Sequence, residues 1–238
     1  MQYTFTRTVK GKIMPIQAIQ ERMRIAFPES ADVLTVRAIG QGVRLADDLI
    51  LNTPLLNTLP GRDYRGLIRR AGVMFALHEA CARGDLPFKT HFRQMHRGHW
   101  HLLEINSGRE RAQICRTDEA DGFPEDTPVK QDERLVNQFN LFEDHLPPVE
   151  MILDKIPRLY VWLTFGADYT GSLTHVCWCA PAKEEKQWLA FENILRRAVG
   201  SGALPPTGNP TPDPKTKLRF KDHIEEALEK KNDDKSSA

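Results

Sequence analysis

The residues best suited to chemistry are four histidines that fall between positions 91 and 101, in the stretch HFRQMHRGHWHLLEI. The chain has eight histidines in all, so half of them lie within eleven positions. Neutral imidazole nitrogens bind zinc or iron, and imidazole titrates near physiological pH. Which of these rings can act together depends on the element that carries them.

This stretch is predicted to form a β-hairpin, because Arg97 and Gly98 suit a two-residue turn between two strands. In that register Gln94 lies opposite His101, and side chains alternate between the two faces. One face then carries three imidazoles, those of His96, His99 and His101. The set predicts a metal-dependent enzyme as one alternative, with zinc or iron as the metal. No carboxylate is obviously placed to orient the rings, so a polar or phosphate-contacting face without a cofactor is the favoured interpretation.

The four cysteines provide no clear further ligand for this histidine face. Cys115 joins the histidine face only if the turn NSG at 106–108 is a three-residue bulged loop. In HVCWC, residues 175–179, a histidine and two cysteines share one face of a strand. Zinc knuckles use Cys-x-x-Cys turns and free cysteine is usually buried, so this face is predicted to be core.

A basic helix followed by a basic hairpin is the second feature with chemical potential. Residues 63–83 form the clearest predicted helix, which ends at Gly84. Arginines line its outer face, and the order of elements is that of a winged helix bound to DNA. Arginine supplies the contacts that phosphate groups need. The predicted nucleic-acid-binding residues are Arg62, Arg65, Arg69, Arg93, Arg97, Arg109 and Arg111.

Charge is strongly segregated along the chain, although the net charge is only +1. Residues 62–116 hold 11 Lys/Arg and 5 Asp/Glu, whereas residues 117–155 hold 3 and 11. The basic part is expected to meet an anionic partner. The alternative is that the two parts neutralise each other across the folded surface. Residues 117–150 lack periodicity and are predicted to form a long acidic loop outside the core.

The acidic segment contains QFNLF, residues 138–142, which resembles the peptide by which bacterial proteins dock on the replication sliding clamp. The pattern of that peptide is Gln-Leu-x-Leu-Phe. Gln138, Leu141 and Phe142 match it, and Phe139 stands where leucine is usual. The resemblance implies a sliding clamp as partner, with two apolar anchors and an amide that sets the register. The alternative is an amphipathic turn that packs on the protein's own core.

The fold is predicted to be α+β, with two antiparallel hairpin or meander units, two main helices and the long acidic loop. The first unit spans 88–117 and follows the helix 63–83, and the second pairs RLYVWLTF with SLTHVCWCA before a helix at 185–199. Near the N-terminus, YTFTRTV and DVLTVRAI are further strand candidates. Residues 1–200 are expected to form one domain. Residues 201–238 are expected to be a proline-rich linker and a charged, disordered tail.

Several function classes find no support. The chain has no apolar run long enough for a membrane span, so no membrane partner is expected. The first residues lack an apolar core followed by a small-residue cleavage site, so no secretory signal is expected there. Nucleophile elbows, phosphate loops and dinucleotide fingerprints do not occur. We therefore expect a non-catalytic, cytoplasmic, DNA-associated protein of a bacterium or phage. The alternatives are an adaptor or inhibitor that acts through the acidic loop, and the metal-dependent enzyme that uses the histidine hairpin.

Overall fold

A computed structural model describes residues 16–95, 100–125, 127–137, 158–183 and 186–202. These residues confirm the α+β class, with six helices and one open six-stranded sheet. The helices are α1 (Ile16–Ala26), α2 (Asp32–Asn52), α3 (Leu59–Asp63), α4 (Arg65–Ala82), α5 (Pro128–Arg134) and α6 (Ile194–Gly200). The strands are β1 (Lys89–Gln94), β2 (His101–Ser107), β3 (Glu110–Arg116), β4 (Tyr160–Ala167), β5 (Leu173–Pro181) and β6 (Trp188–Asn193).

The two groups of strands that were predicted as separate units are halves of one sheet. The strands lie side by side in chain order, from β1 to β6. Neighbours run antiparallel except β3 and β4, which are parallel, with Ala112 opposite Val161. The carboxyl ends of β3 and β4 therefore lie at the same end of the sheet.

The helices α1, α2, α4 and α6 cover one face of the sheet and form the main core. Trp178 from β5 stacks on Phe27 with ring centroids 4.2 Å apart, and Phe88 packs edge-on to the same ring. Leu163 and Val176 are fully buried beneath the helices. Burial of these large apolar side chains is the principal stabilising term.

The opposite face of the sheet is covered by part of the acidic segment, which corrects the prediction of a loop outside the core. Within residues 117–137 the chain forms α5 and a 3-10 turn, Leu135–Asn137. Phe123 lies 4.9 Å from Trp162 and 4.7 Å from Trp188, measured between ring centroids. Asn137 is buried and bonds to the backbone of Tyr160. The acidic composition of the segment gave no indication that Phe123 and Asn137 pack against the sheet.

The prediction of a strand at DVLTVRAI is wrong, because these residues open the 21-residue helix α2. Val36, Ile39, Val43 and Ile50 are all buried and recur at helical spacing. The β-branched residues in the first eight positions suggested a strand. The longer pattern, and packing against α4, outweigh that local preference.

The helix predicted at 185–199 is also wrong in its first half. Trp188–Asn193 is the edge strand β6, paired with β5, and the helix begins only at Ile194. Asn193 caps that helix by accepting a hydrogen bond from the Arg196 amide at 3.0 Å. An apolar run before an N-cap is compatible with either a helix or a strand. Here the run forms a strand because it pairs with the edge of β5.

The predicted helix 63–83 is confirmed as α4, and Gly84 follows it with φ of 81°. Two internal glycines of α4, Gly66 and Gly72, have close neighbours. A Cβ on Gly72 would collide with the backbone of Gly42 in α2, and one on Gly66 would collide with the Arg116 guanidinium. None of the described helices combines the length and apolarity that crossing a bilayer requires.

Some predictions lie outside the described residues. They are the strand candidate at 3–9, the clamp-like motif at 138–142, and residues 203–238 of the predicted linker and tail.

Candidate functional site

The histidine face is only partly described. His101 is exposed at the start of β2, and Gln94 lies opposite it, as a two-residue turn requires. His96 and His99 lie outside the described residues. Glu104 pairs with Gln113, so Cys115 lies on the Glu104 face, opposite to that of His101. There it is buried with Tyr160 and Trp162 and does not join the imidazoles. Within the described ranges no group of three or more His, Cys, Asp or Glu side chains is arranged to hold a metal.

His78 and His175 have partners inside the fold, and the two HVCWC cysteines are buried. His78 is half-buried, and its Nδ1 lies 2.9 Å from Thr90 Oγ1. His175 is buried with Nε2 2.8 Å from Thr117 Oγ1, and burial lowers its pKa. Burial raises the pKa of Cys177 to about 12 and that of Cys179 well above its usual range. These thiols stay protonated, as the prediction of a buried core requires.

Arg93 and Arg111 belong to an ionic network on the sheet face that α5 covers. Arg93 and Arg111 both bind Glu133 of α5, and Arg111 Nη1 also lies 3.2 Å from Glu104. His91 lies 3.6 Å from Glu104 at the edge of the network. Two guanidiniums facing two carboxylates attach α5 to the sheet, and both arginines are thereby engaged within the molecule.

Arg69 is also engaged within the molecule. It is buried and makes a two-pronged ion pair with Asp47 of α2, with nitrogen–oxygen distances of 2.9 and 2.7 Å. Its Nη1 donates to the carbonyl oxygen of Asp168 at 2.8 Å. One side chain therefore joins α4 to α2 and to the turn after β4. Arg65 lies nearby, 3.9 Å from Asp47.

Arg116 was missed by sequence reasoning, although it lies beside the predicted arginines. It ends β3 on the helix-covered face, and its guanidinium lies across Gly66, next to Arg65. Its side chain is 45% exposed, and Asp118, which is almost fully exposed, lies 3.7 Å away. An exposed pair of this kind is weak. The internal glycine of α4 was the one signal that something approaches the helix there.

Arg62, Arg65 and Arg116 therefore form one group, which we name the basic corner. Arg62 is exposed on α3, and Thr58 caps that helix. The corner lies at the end of the sheet where β1, β3 and β4 finish and where β2 begins.

The last two predicted arginines do not join the corner among the described residues. Arg109 lies in the β2–β3 turn, at the opposite end of β3 and roughly 20 Å from Arg116 at the usual rise per residue. Arg97 is outside the described residues.

An open cleft of about 660 Å³ adjoins the corner, formed by residues 116–125. Asp118, Glu119 and Glu125 line it together with Phe123. The acidic lining makes the cleft a poor place for phosphate, so the anion-binding capacity of this end lies with the arginines on the helix side.

Comparisons with protein-family models, curated proteins and solved structures yield no match to this chain.

The basic corner is suited to binding anions by charge and hydrogen bonding. Arginine presents a planar fork of donors and stays charged at every physiological pH. Helix α4 adds the positive end of an 18-residue helix, and its first turn has no acidic residue. No bond-making step is required of these side chains.

Proposed function

We propose that this chain is a non-catalytic, cytoplasmic, DNA-associated protein of a bacterium or phage, and that the basic corner contacts the phosphates. The observation that carries the proposal is the position of Arg116, laid across Gly66 beside Arg65. Arg116 is thus brought from the end of β3 to the first turn of α4, which also carries Arg65, and Arg62 lies three residues earlier on α3.

The proposal rests on three arginines, because three of the predicted ones are paired with carboxylates inside the fold. Arg69, Arg93 and Arg111 hold elements of the fold together through Asp47, Glu104 and Glu133. The phosphate-contacting role is assigned to Arg62, Arg65 and Arg116.

The expected affinity follows from the charges at the corner. Asp63 and Asp118 are exposed beside the arginines and reduce the positive potential. About three phosphate contacts predict a dissociation constant on the order of micromolar at low salt, weakening about as the third power of salt concentration.

A fluorescence-anisotropy titration with labelled DNA at several salt concentrations tests the proposal. Arg65→Gln together with Arg116→Gln is expected to weaken binding at least tenfold at low salt and to lower the salt slope by about 2. Arg83→Gln is the matched control, since Arg83 is similarly exposed at the other end of α4 and pairs with Asp85. Equal affinity of the double variant and the control would refute the proposal.

A second candidate function is docking on a bacterial sliding clamp through Gln138–Phe142. It is favoured by Asn137, whose side chain donates to the carbonyl oxygens of Tyr160 and Pro181 at 2.8 and 2.9 Å. The chain therefore leaves a fixed, buried anchor directly before Gln138. This function would also serve the adaptor alternative, because it requires no DNA contact.

Capture of purified clamp on immobilised protein tests this second function. Substitution of Gln138, Leu141 and Phe142 by alanine is expected to abolish capture. Leu135→Ala is the control, because Leu135 is an exposed apolar residue three positions before the motif. Capture that survives the triple substitution excludes the motif as the docking element.

A further inference from the structure

Two tyrosine rings stand in solvent at the same end of the molecule as the basic corner. Tyr64 joins α3 to α4 and is 58% exposed, and Tyr169 lies in the β4–β5 turn and is 85% exposed. Burial of a tyrosine ring is normally favourable, so large exposed aromatic residues beside arginines are typical of binding surfaces.

The turn that carries Tyr169 is held in one conformation. The Asp168 carboxylate accepts hydrogen bonds from the amides of Thr170 and Ser172 at 2.8 and 3.0 Å. It also accepts from the Thr170 hydroxyl, and these bonds lower the pKa of Asp168. Gly171 supplies the positive φ, 86°, that closes the turn. The Tyr169 ring is therefore projected from an ordered support.

The same turn is hydrogen-bonded to helix α4, which begins directly after Tyr64. Arg69 donates to the Asp168 carbonyl oxygen at 2.8 Å while it is paired with Asp47. Tyr64 precedes Arg69 by five residues, roughly 7 Å along the helix axis. Both tyrosines therefore lie at the end of the molecule that holds the basic corner.

We propose that this surface binds single-stranded DNA, with bases stacked on Tyr64 and Tyr169 and phosphates bound by Arg62, Arg65 and Arg116. The inference rests on the proposed function and specifies its ligand. Aromatic rings alternating with cationic groups suit unpaired bases, which have free faces. In a duplex the bases are already stacked, and only phosphates would reach the arginines.

The experiment compares a labelled 12-nucleotide oligothymidylate with a duplex of the same length, using the full chain at fixed ionic strength. The wild-type protein is expected to bind the single strand at least fivefold more tightly. Tyr64→Ala and Tyr169→Ala are each expected to weaken binding of the single strand about tenfold and to leave duplex binding within twofold. The corresponding Tyr→Phe variants keep the ring and are expected to retain affinity.

Ile25→Ala is the control for loss of an exposed apolar side chain, since Ile25 is 68% exposed on α1. Circular dichroism and melting temperature establish that each variant is folded. Single-strand affinity unchanged by both alanine variants, but lost with Arg65→Gln and Arg116→Gln, would overturn the stacking surface and leave phosphate binding intact. No binding to either DNA would overturn both proposals. Tighter binding to a 12-nucleotide oligouridylate would overturn DNA as the ligand in favour of RNA.

Discussion

The crossing of α2 and α4 predicts opposite effects for two neighbouring glycine substitutions. Gly42 lies where the helices touch, and a Cβ there would be 2.5 Å from the Gly72 carbonyl oxygen and from the Val73 Cα. Gly40 lies two residues earlier, where a Cβ would meet the Arg44 Nη1 at 3.4 Å and a Leu173 methyl at 3.5 Å. The first site has no room for a methyl group and the second has.

The magnitudes follow from these distances. Carbon atoms in contact prefer about 3.5–4.0 Å, so Gly42→Ala requires the two backbones to separate by about 1 Å. Overpacking of this kind costs about 1–3 kcal/mol. We expect a cost of about 3 kcal/mol here, because the clashing atoms belong to the backbone and cannot move aside as a side chain can. Alanine returns about 1 kcal/mol of helix propensity at either position. We therefore expect Gly42→Ala to destabilise by about 2 kcal/mol and Gly40→Ala to stabilise by about 0.5–1 kcal/mol.

Urea unfolding followed by circular dichroism measures both effects in one experiment. The two midpoints should differ by about 1 M, with Gly42→Ala the lower. A Gly42→Ala variant as stable as Gly40→Ala would show that the helices do not cross at Gly42 and Gly72.

Two further predictions concern buried charges. Burial, partly offset by Arg197, raises the pKa of Asp32 to about 6, so its ionised form is disfavoured in the fold and stability falls as pH rises through about 6. Relative to wild type, Asp32→Asn should therefore become more stable as pH rises from about 3 to about 7, by up to about 3 kcal/mol in the urea-derived free energy of unfolding, with most of the change between about pH 4 and pH 6. No change with pH would contradict this. Arg69→Met should cost about 3 kcal/mol by leaving Asp47 without its main partner. It should also accelerate amide exchange at Thr170, and unchanged exchange would show that Arg69 does not hold the turn.

The parts of the fold that could be predicted are those that local pattern determines. Helix α4 has apolar residues at helical spacing and a terminal glycine, Gly84, and the hairpin register at Gln94 follows from a two-residue turn. The parallel pairing of β3 with β4 joins residues about 50 positions apart, such as Ala112 and Val161. No short window of sequence contains that information. The prediction of one helix over residues 185–199 was wrong for a related reason. Pairing with the edge of β5, which lies outside those residues, makes Trp188–Asn193 a strand.

The candidate site, like the fold, was predictable only where local sequence pattern determines it. The arginines on the α3–α4 segment were identified because helical periodicity separates them from the apolar face. Whether each one is available depends on partners distant in sequence, such as Asp47 for Arg69 and Glu133 for Arg93 and Arg111. Arg116 escaped notice because only the contact with α4 brings it to the others.

Part of the charge segregation along the chain is neutralised inside the folded molecule. Part of the acidic segment lies on the sheet and uses Glu133 to neutralise Arg93 and Arg111. The basic excess of residues 62–116 is therefore partly internal to the molecule, as the neutralisation alternative required. That compensation occurs on the face covered by α5, whereas Arg62, Arg65 and Arg116 lie on the helix side. An anionic partner should consequently be sensitive to substitutions on the helix side and insensitive to Arg93→Gln, provided that the variant remains folded.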